Sequence, residues 1–393
     1  MSKIQDYFVL IRNGANIRQN KEKIGYPITR IETISDGYVD REKMGYAGIK
    51  DLSKYEDYIL KTGDILMSHI NSVNHLGKVA LYEKEKDEKI IHGMNLLVLR
   101  PNTKLIISKY AYYYFKSPYF KKQLPNITKN SVNQASFTVT DLKKLYIYVP
   151  SIEKQNTIVE MLDKVQSLID KRKQQIEFCN ELIKSQFVEI FGDPKVNPKH
   201  YKMKKLGTTF EIVSGGTPKT QVEDYWNPND ISWIGSNMCQ DKIIYNNDGK
   251  FISYLGLENS SAKIIKPNAV LVALVGATIG KTALLKFETA INQNIAAIKV
   301  YDSNEYIPEF VFWYMQFIYY QFTAISKNKF KMASLNFLKE LEIYQVPITL
   351  QSQFAAFVQQ VENLRSSLQQ SLTELENNFN SLMQKAFNGE VIA

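Results

Sequence analysis

The stretch that most invites a chemical reading is Val275-Gly276-Ala277-Thr278-Ile279-Gly280-Lys281-Thr282, a glycine-rich turn behind the apolar run Val270–Val275. A phosphate-cradling P-loop needs four residues between its first glycine and the Gly-Lys-Thr. Here Gly276 and Gly280 enclose three. The residues that follow, Ala283-Leu284-Leu285, have a strand pattern, whereas that chemistry needs a helix N-terminus. The segment is therefore read as a tight hairpin or loop, with Lys281 free to meet a phosphate. Other reactive types fare no better. The four histidines, His69, His75, His92 and His200, lack a zinc-ligand partner set, and no metal site is expected. His69 and His75 fall in a polar loop, either at the surface or in contact with a ligand. Ser214 in Ser214-Gly215-Gly216-Thr217-Pro218 has no general base at a recognisable spacing. No Asp-Pro-Pro-Tyr or Asn-Pro-Pro-Tyr tetrapeptide marks an amino-methyltransferase, and no Pro-Asp with a following Glu-x-Lys marks a metal-dependent nuclease. Cys179 is read as core, and Cys239 lies in a polar loop. Two cysteines outside any Cys-x-x-Cys fit a reducing cytoplasm and exclude a disulfide scaffold. The residues describe a protein without chemistry of its own.

Binding features are stronger. The net charge of +9 is uneven: +9 over residues 1–150, −1 over 151–191, +3 over 192–347 and −2 over 348–393. The two basic stretches suit a polyanion and the two near-neutral ones suit protein. Residues 101–150 hold eight lysines against one acid, Asp141, interleaved with Tyr110, Tyr112, Tyr113, Tyr114, Phe115, Tyr119 and Phe120. Lysines on such a helix can meet phosphates while the rings pack it onto its domain; an ordinary solvated basic face is the alternative. Lys327-Asn328-Lys329-Phe330-Lys331 is the smaller counterpart in the second half. Candidate DNA contacts in the first half are Arg30, Ser68, His69, Asn71, Lys78, Lys116, Lys121, Lys122, Lys129, Asn133 and Gln134. In the second half they are Thr217, Lys219, Ser236, Asn237, Thr278, Lys281, Gln293, Lys327, Lys329 and Lys331. Loop amides and hydroxyls among them could read base edges.

These residues sit in a unit that is written twice, with a period near 200 residues. Leu142–Pro150 recurs as Leu338–Pro347, each copy read as a short strand ending at proline and followed by a long helix. Upstream, the strand patterns Asp64–Ser68 and Ala269–Ala273 lead to Gly77-Lys78 and Gly280-Lys281. An asparagine turn at Asn95 or Asn294 then precedes the strands Leu96–Leu99 and Ile295–Val300. Aromatic-rich helices are expected over Lys109–Leu124 and Pro308–Ile325. The long helices have seams stepping by three and four. The first runs Ile158, Leu162, Val165, Ile169, Arg172, Ile176, Cys179, Ile183, Gln186, Ile190, and Gly192-Asp193-Pro194 ends it. The second runs Phe354, Phe357, Val361, Leu364, Leu368, Leu372, Leu375, Phe379, Leu382, Ala386, with a stutter at Leu368–Leu372. At about 1.5 Å per residue each is roughly 60 Å long. Two such seams are expected to bury each other as an antiparallel coiled-coil pair, giving a pseudo-twofold internal repeat. Packing of each helix on its own globular domain is the alternative. The expected architecture is α/β (α+β): one globular domain over 1–150, a helix over 151–192, a second globular domain over 193–347 and a helix over 348–393. No run approaches the ~18 apolar residues of a membrane span, and the N-terminus does not read as a secretory signal.

The order domain, helix, domain, helix resembles the specificity subunits of Type I restriction–modification enzymes over essentially the whole chain. The wording resembles them too. Ser214-Gly215-Gly216-Thr217-Pro218-Lys219, Asp224-Tyr225-Trp226 and Ile231-Ser232-Trp233-Ile234 look like the opening of a target-recognition domain. Leu271–Thr282 and the Asn292-Gln293-Asn294 turn look like its middle, and Val149-Pro150-Ser151-Ile152-Glu153-Lys154-Gln155 looks like the start of a linker helix. The resemblance implies two target-recognition domains, each reading half of a split double-stranded DNA site, with the helices as a ruler for the unread spacer. It implies two methyltransferase subunits docked on the helical regions, S-adenosylmethionine bound there and no cofactor bound here, a motor–nuclease subunit joining the complex, and a cytoplasmic setting. The first domain departs from the pattern: it has Gly14-Ala15-Asn16 where the second has Gly-Gly-Thr-Pro, and a longer loop, Ser68–Lys78. A specificity subunit of a methylation-only or fused restriction system, a protein scaffold whose charge is incidental, and an enzyme using the glycine-rich loop for nucleotide are the other readings.

Overall fold

The computed structural model describes residues 2–20, 22–132, 134–326, 332–388 and 390. The chain forms two compact units, Met1–Lys173 with Gln370–Ala393, and Gln174–Gln369. The division cuts both long helices, Ile152–Phe191 and Ile348–Asn388, near their middles.

In the first unit an antiparallel sheet has the order Phe8–Asn13, Leu96–Pro101, Ile65–Ser68, Val79–Leu81. Ile65–Ser68 is buried throughout, in keeping with the apolar run Ile65-Leu66-Met67. Leu66, Ala80 and Val98 pack with Ile34, Val39, Met44, Leu60, Tyr82 and Ile90. A separate small sheet pairs Ile70–Asn71 with Ala135–Ser136, and Ala135–Ser136 with Lys129–Asn130.

The second unit repeats the plan. Its main sheet has the order Ile212–Ser214, Ile295–Ile298, Val270–Ala273, Thr282–Leu285, with a parallel fifth strand, Lys242–Ile244, added at the edge. A second sheet of four strands has the order Phe251–Ile252, Ile231–Ile234, Thr289–Ile291, Lys263–Ile265. The glycine-rich stretch is a hairpin turn between Val270–Ala273 and Thr282–Leu285, with Gly276 at φ 80° and Gly280 at φ 77°.

The start of each long helix is fixed to its domain in the same way. Gln155 is fully buried; its Oε1 accepts from the Ile107 amide (2.8 Å), and its Nε2 donates to the carbonyls of Leu105 (3.0 Å) and Pro150 (2.9 Å). Gln351, also fully buried, accepts from the Ile307 amide (2.9 Å) and donates to the carbonyls of Glu305 (2.9 Å) and Val346 (3.0 Å). The captured amides begin the aromatic helices, where no intrahelical acceptor exists.

The two helices meet in both units. In the first, Lys173 pairs with Glu376 (3.1 Å), while Phe379 and Phe387 pack edge-on against Tyr113 and Tyr110. In the second, Arg365 donates to Asn180 (2.6 Å), and Phe187 meets Phe354 at 5.4 Å between ring centroids. Ascending residues of one helix meet descending residues of the other, so the pair is antiparallel.

Several expectations change. Each aromatic helix is broken in two: Ser108–Lys116 then Pro118–Gln123, and Pro308–Phe317 then Tyr320–Ser326. In the first case Pro118 opens a new helix, and Ser117 Oγ accepts from the Phe120 amide (3.3 Å) as its cap. Leu142-Lys143-Lys144 ends a short helix, Val139–Lys144, capped by Thr138, and the strand is Tyr146–Ile147 alone. Ser334 caps the matching helix Leu335–Glu340. Of the seam, Ile158, Leu162, Ile169, Ile183, Val361 and Leu372 are buried, and Val165, Ile176, Leu368, Leu375 and Leu382 are half-buried. Leu364 is 50% exposed, because Arg365, bonded to Glu362 and Asn180, takes the inward position. Near the end of the first helix Phe187 and Phe191 are fully buried in place of Gln186 and Ile190. There the helix packs against Phe310 of the second unit, not only along the narrow seam.

Candidate nucleic-acid interface

In the first unit the loop after Ile65–Ser68 carries most of the candidate contacts. Ser68 is buried and accepts from Asn71 Nδ2 (3.3 Å). These two, with His75 and Lys78, line a recess of about 130 Å³. Lys78 Nζ donates to the Ser35 carbonyl (2.9 Å) and borders a neighbouring recess of about 330 Å³ with Lys116 and Lys121. Lys116 Nζ donates to Tyr112 Oη (3.2 Å) and lies 4.9 Å from that ring's centroid, an amino group above an aromatic face. Arg30 lies in another recess, of about 570 Å³, 3.8 Å from Glu32. Lys121, Lys122, Lys129 and Gln134 are exposed. The three lysines make no ion pair among the described residues, so their charge is available to an anion.

His69 corrects the sequence reading. It is 6% exposed, lies edge-on to Phe137, and burial pushes its pKa down. It sits between the strands Ile65–Ser68 and Ile70–Asn71 with its ring turned inward, so it is not a surface residue. His92 is likewise buried, with its pKa pushed down to about 4, first by burial. Asn133 falls outside the described residues, as do Lys327, Lys329 and Lys331.

In the second unit, three backbone bonds bring the loops at Gly216, Ile234 and Leu274 to a fourth, Ile291–Asn294. The Gly216 amide donates to the Ile291 carbonyl (3.0 Å), the Asn292 amide to the Ile234 carbonyl (3.1 Å), and the Leu274 amide to the Asn294 carbonyl (2.8 Å). The double glycine is needed for this approach: a Cβ on Gly215 would lie 1.8 Å from the Ile291 carbonyl oxygen, and one on Gly216 2.1 Å from Ser261 Oγ. Thr217, Gln293, Ser236 and Asn237 therefore come out beside one another. Thr217 Oγ1 donates to Gln293 Oε1 (2.5 Å), and the Gln293 side chain is exposed. Asn237 Nδ2 donates to Asp248 (3.0 Å). Lys219 is exposed and Thr278 half-buried.

Lys281 is not free, contrary to the sequence reading. Its Nζ is bonded to Asp241 and lies 5.2 Å from the Tyr319 ring centroid. Asp241 Oδ1 also accepts from the Thr282 amide (2.9 Å), so the lysine closes a local turn. Cys239 is buried, with its thiol pushed up to about 12 by burial, and takes no part in the polar edge. Among the described residues no group of three or more His, Cys, Asp or Glu could hold a metal, and no helix is long and apolar enough to cross a membrane.

Sequence reasoning missed Val132, which is 99% exposed in the loop between Lys129–Asn130 and Ala135–Ser136, and Val73, 65% exposed nearby in sequence to Asn71. A lone valine inside the polar run Asn130–Gln134 was the available signal.

Two like-built α/β units, each with exposed polar and basic loops at its strand ends, have the layout of a tandem binding protein. Its fold has solved relatives. One is a chain from a structure of type I R-M complex assembly and conformational transition (TM-score 0.63, 16% identity, 99% of this chain and 97% of that one). Another is the type I restriction–modification S subunit from M. genitalium (TM-score 0.53, 16% identity, 98% and 95%). The type I restriction modification DNA specificity domain matches twice, over residues 1–178 and 198–377. A specificity subunit assigned to the MjaX type I restriction enzyme of Methanocaldococcus jannaschii is 32% identical over 99% of this chain and 92% of its own length. The EcoKI specificity subunit of Escherichia coli K12 is 25% identical over 42% of this chain and 36% of its own. The chain belongs to the type I restriction–modification specificity-subunit family.

Proposed function

We propose that this chain is the non-catalytic DNA-recognition subunit of a type I restriction–modification complex, reading a two-part double-stranded target. The observation that carries the reading is duplication: the specificity domain matches twice, and each match has its own sheet, glutamine-anchored helix and exposed loop edge. In the first half the reading loop is Ser68–Lys78 with the lysines 116, 121, 122 and 129. In the second it is the edge formed by Thr217, Ser236, Asn237 and Gln293. Lysines meeting phosphates supply salt-sensitive affinity without sequence information, and amides and hydroxyls at base edges supply the selection.

The remaining chemistry belongs to partners. Two methyltransferase subunits dock on the helical regions and carry S-adenosylmethionine, a motor–nuclease subunit completes restriction, and the complex works in the cytoplasm. The exposed Phe178 and Leu182 of the first helix and Leu364 of the second are apolar surface in keeping with such docking. The helices set the unread spacer between the half-sites.

The test is to map methylated bases across the genome of a host expressing the companion methyltransferase with and without this chain. Methylation at one split motif that vanishes without the chain supports the reading. Methylation unchanged by its removal, with the methyltransferase intact and expressed, defeats it.

A further inference from the structure

The small sheet of the first unit carries an exposed apolar side chain in its loop. Lys129–Asn130 and Ala135–Ser136 form a two-stranded ribbon paired as Asn130 with Ala135 and Lys129 with Ser136, and its other edge is held by Ile70–Asn71. The loop is closed at its base, where the Ser131 amide and Oγ both donate to the Gln134 carbonyl (2.7 and 2.9 Å). Among the described residues of the ribbon, Lys129, Asn130, Ser131 and Gln134 are exposed and polar or basic, and Val132 is 99% exposed. The ribbon rises beside a cleft of about 350 Å³ lined in part by Lys121, Thr128 and Asn130. Exposed, unpaired lysines therefore stand at its foot and on its strand.

We infer that this ribbon enters the major groove together with the loop Ser68–Lys78 that it pairs with, and that Val132 at its tip recognises a thymine through the C5-methyl group. The inference rests on the DNA-reading function proposed above and names the base that the site takes. The major groove, about 12 Å wide, admits a two-stranded ribbon, whereas the minor groove is about 6 Å wide. A valine can neither donate nor accept a hydrogen bond. The one base-edge feature that rewards it is the thymine methyl, which lies only in the major groove. Lys121 and Lys129 match the phosphates that flank such a position. Asn130 and Gln134, at either end of the loop, are placed for polar contacts to neighbouring bases.

The experiment uses the full chain assembled with its companion methyltransferase and the duplex motif found by methylation mapping. Each thymine of the motif is replaced in turn by uracil, which removes only the methyl group, and equilibrium binding is measured for the native protein and Val132→Ala. Because Val132 is fully exposed, the substitution leaves the fold intact, which circular dichroism checks. One uracil position is expected to weaken native binding about fivefold, the worth of roughly one buried methyl. At that position Val132→Ala is expected to respond less than twofold, and its binding to the other duplexes should show the same ranking as native. The proposal is overturned if specific binding persists and no thymine methyl is coupled to Val132, or if the motif half read by this unit has no thymine. It is also overturned if Val132→Ala weakens every duplex alike or loosens methyltransferase assembly, since the tip then meets backbone or protein. Native protein with no preference for the motif over scrambled DNA would instead defeat the underlying DNA-reading function.

Discussion

Replacing Gln155 by leucine should loosen the first unit where the long helix leaves it. Leucine is close in size to glutamine and fills the same space. The Ile107 amide, now 2.8 Å from Gln155 Oε1, then has no acceptor, and the carbonyls of Leu105 and Pro150 each lose a donor. A buried donor left unmade costs about 1–3 kcal/mol, and each ordinary bond lost adds about 1 kcal/mol. The expected loss is about 3 kcal/mol. In a unit of roughly 200 residues that lowers Tm by roughly 6–12 °C, at about 2–4 °C per kcal/mol. Hydrogen exchange locates the effect: peptides covering 105–107 and 152–156 should exchange faster in Gln155→Leu, while those covering 305–307 stay as in the native chain. Gln351→Leu should give the mirror result, because its three bonds repeat those of Gln155 with the Ile307 amide and the Glu305 and Val346 carbonyls. A stability change below about 0.5 kcal/mol with unaltered exchange at 105–107 would refute the view that this glutamine anchors the helix.

Other perturbations probe different links. Asp64 is 1% exposed and holds Arg100 through two bonds of 2.7 Å, so Asp64→Ala should cost about 3–5 kcal/mol by leaving a half-buried guanidinium unpaired, read by urea denaturation. His92, with a pKa near 4 from burial, binds its proton less readily folded than unfolded. Its contribution is therefore present above about pH 6.5 and lost as pH falls toward 4, and His92→Gln should flatten that part of the stability profile; an equally steep profile would refute it. Glu88, held down at about 2 chiefly by its bonds to Arg41, has the same sign in a lower window: its contribution is lost as pH falls from about 4.5 through 2. Lys121→Ala and Lys129→Ala should each reduce the slope of log affinity against log salt by about 0.9 if each meets one phosphate, with the preferred motif unchanged.

The sequence made the framework legible because long-range regularities dominate it. Strand pairs, the Gly-Lys turns and both helices follow from apolar runs and periodicity, and the antiparallel meeting of the helices follows from two seams on one chain. Failures occur where a single side chain decides the local outcome. Ser117, Thr138 and Ser334 each cap a helix that an apolar pattern alone does not reveal. Leu364 fits the seam spacing, yet Arg365 wins the inward position through its bonds to Glu362 and Asn180. Gln155 and Gln351 look like ordinary polar helix residues until the amides they capture are known. At the candidate interface, the sequence offers Thr217, Asn237 and Gln293 only as polar loop residues; that they share one edge depends on backbone bonds between loops far apart in sequence. Lys281 was misjudged because Asp241, forty residues earlier, cannot be seen as its partner in one dimension.

Comparing the two units with each other separates scaffold from reader. Both have the same four-strand order, a Gly-Lys turn whose glycine has positive φ (Gly77 at 73°, Gly280 at 77°), and a buried glutamine that makes the same three bonds. The exposed ends differ. The first unit presents a basic ribbon with an apolar tip; the second presents a compact edge where Thr217 orients Gln293, built on two glycines that admit no side chain. Equal scaffolds with unequal ends cannot favour the same bases, so the two half-sites should differ in sequence. The exposed Gln293 amide is suited to adenine, its nitrogen donating to N7 and the second lone pair of Oε1 accepting from N6, where a lost contact costs about 1–3 kcal/mol. Gln293→Ala should therefore relax one position of one half-site by roughly 5–150-fold in methylation preference, and Thr217→Val should produce a smaller relaxation at that same position. A palindromic motif, or relaxation in both halves from Gln293→Ala, would show that the differing ends do not do the reading.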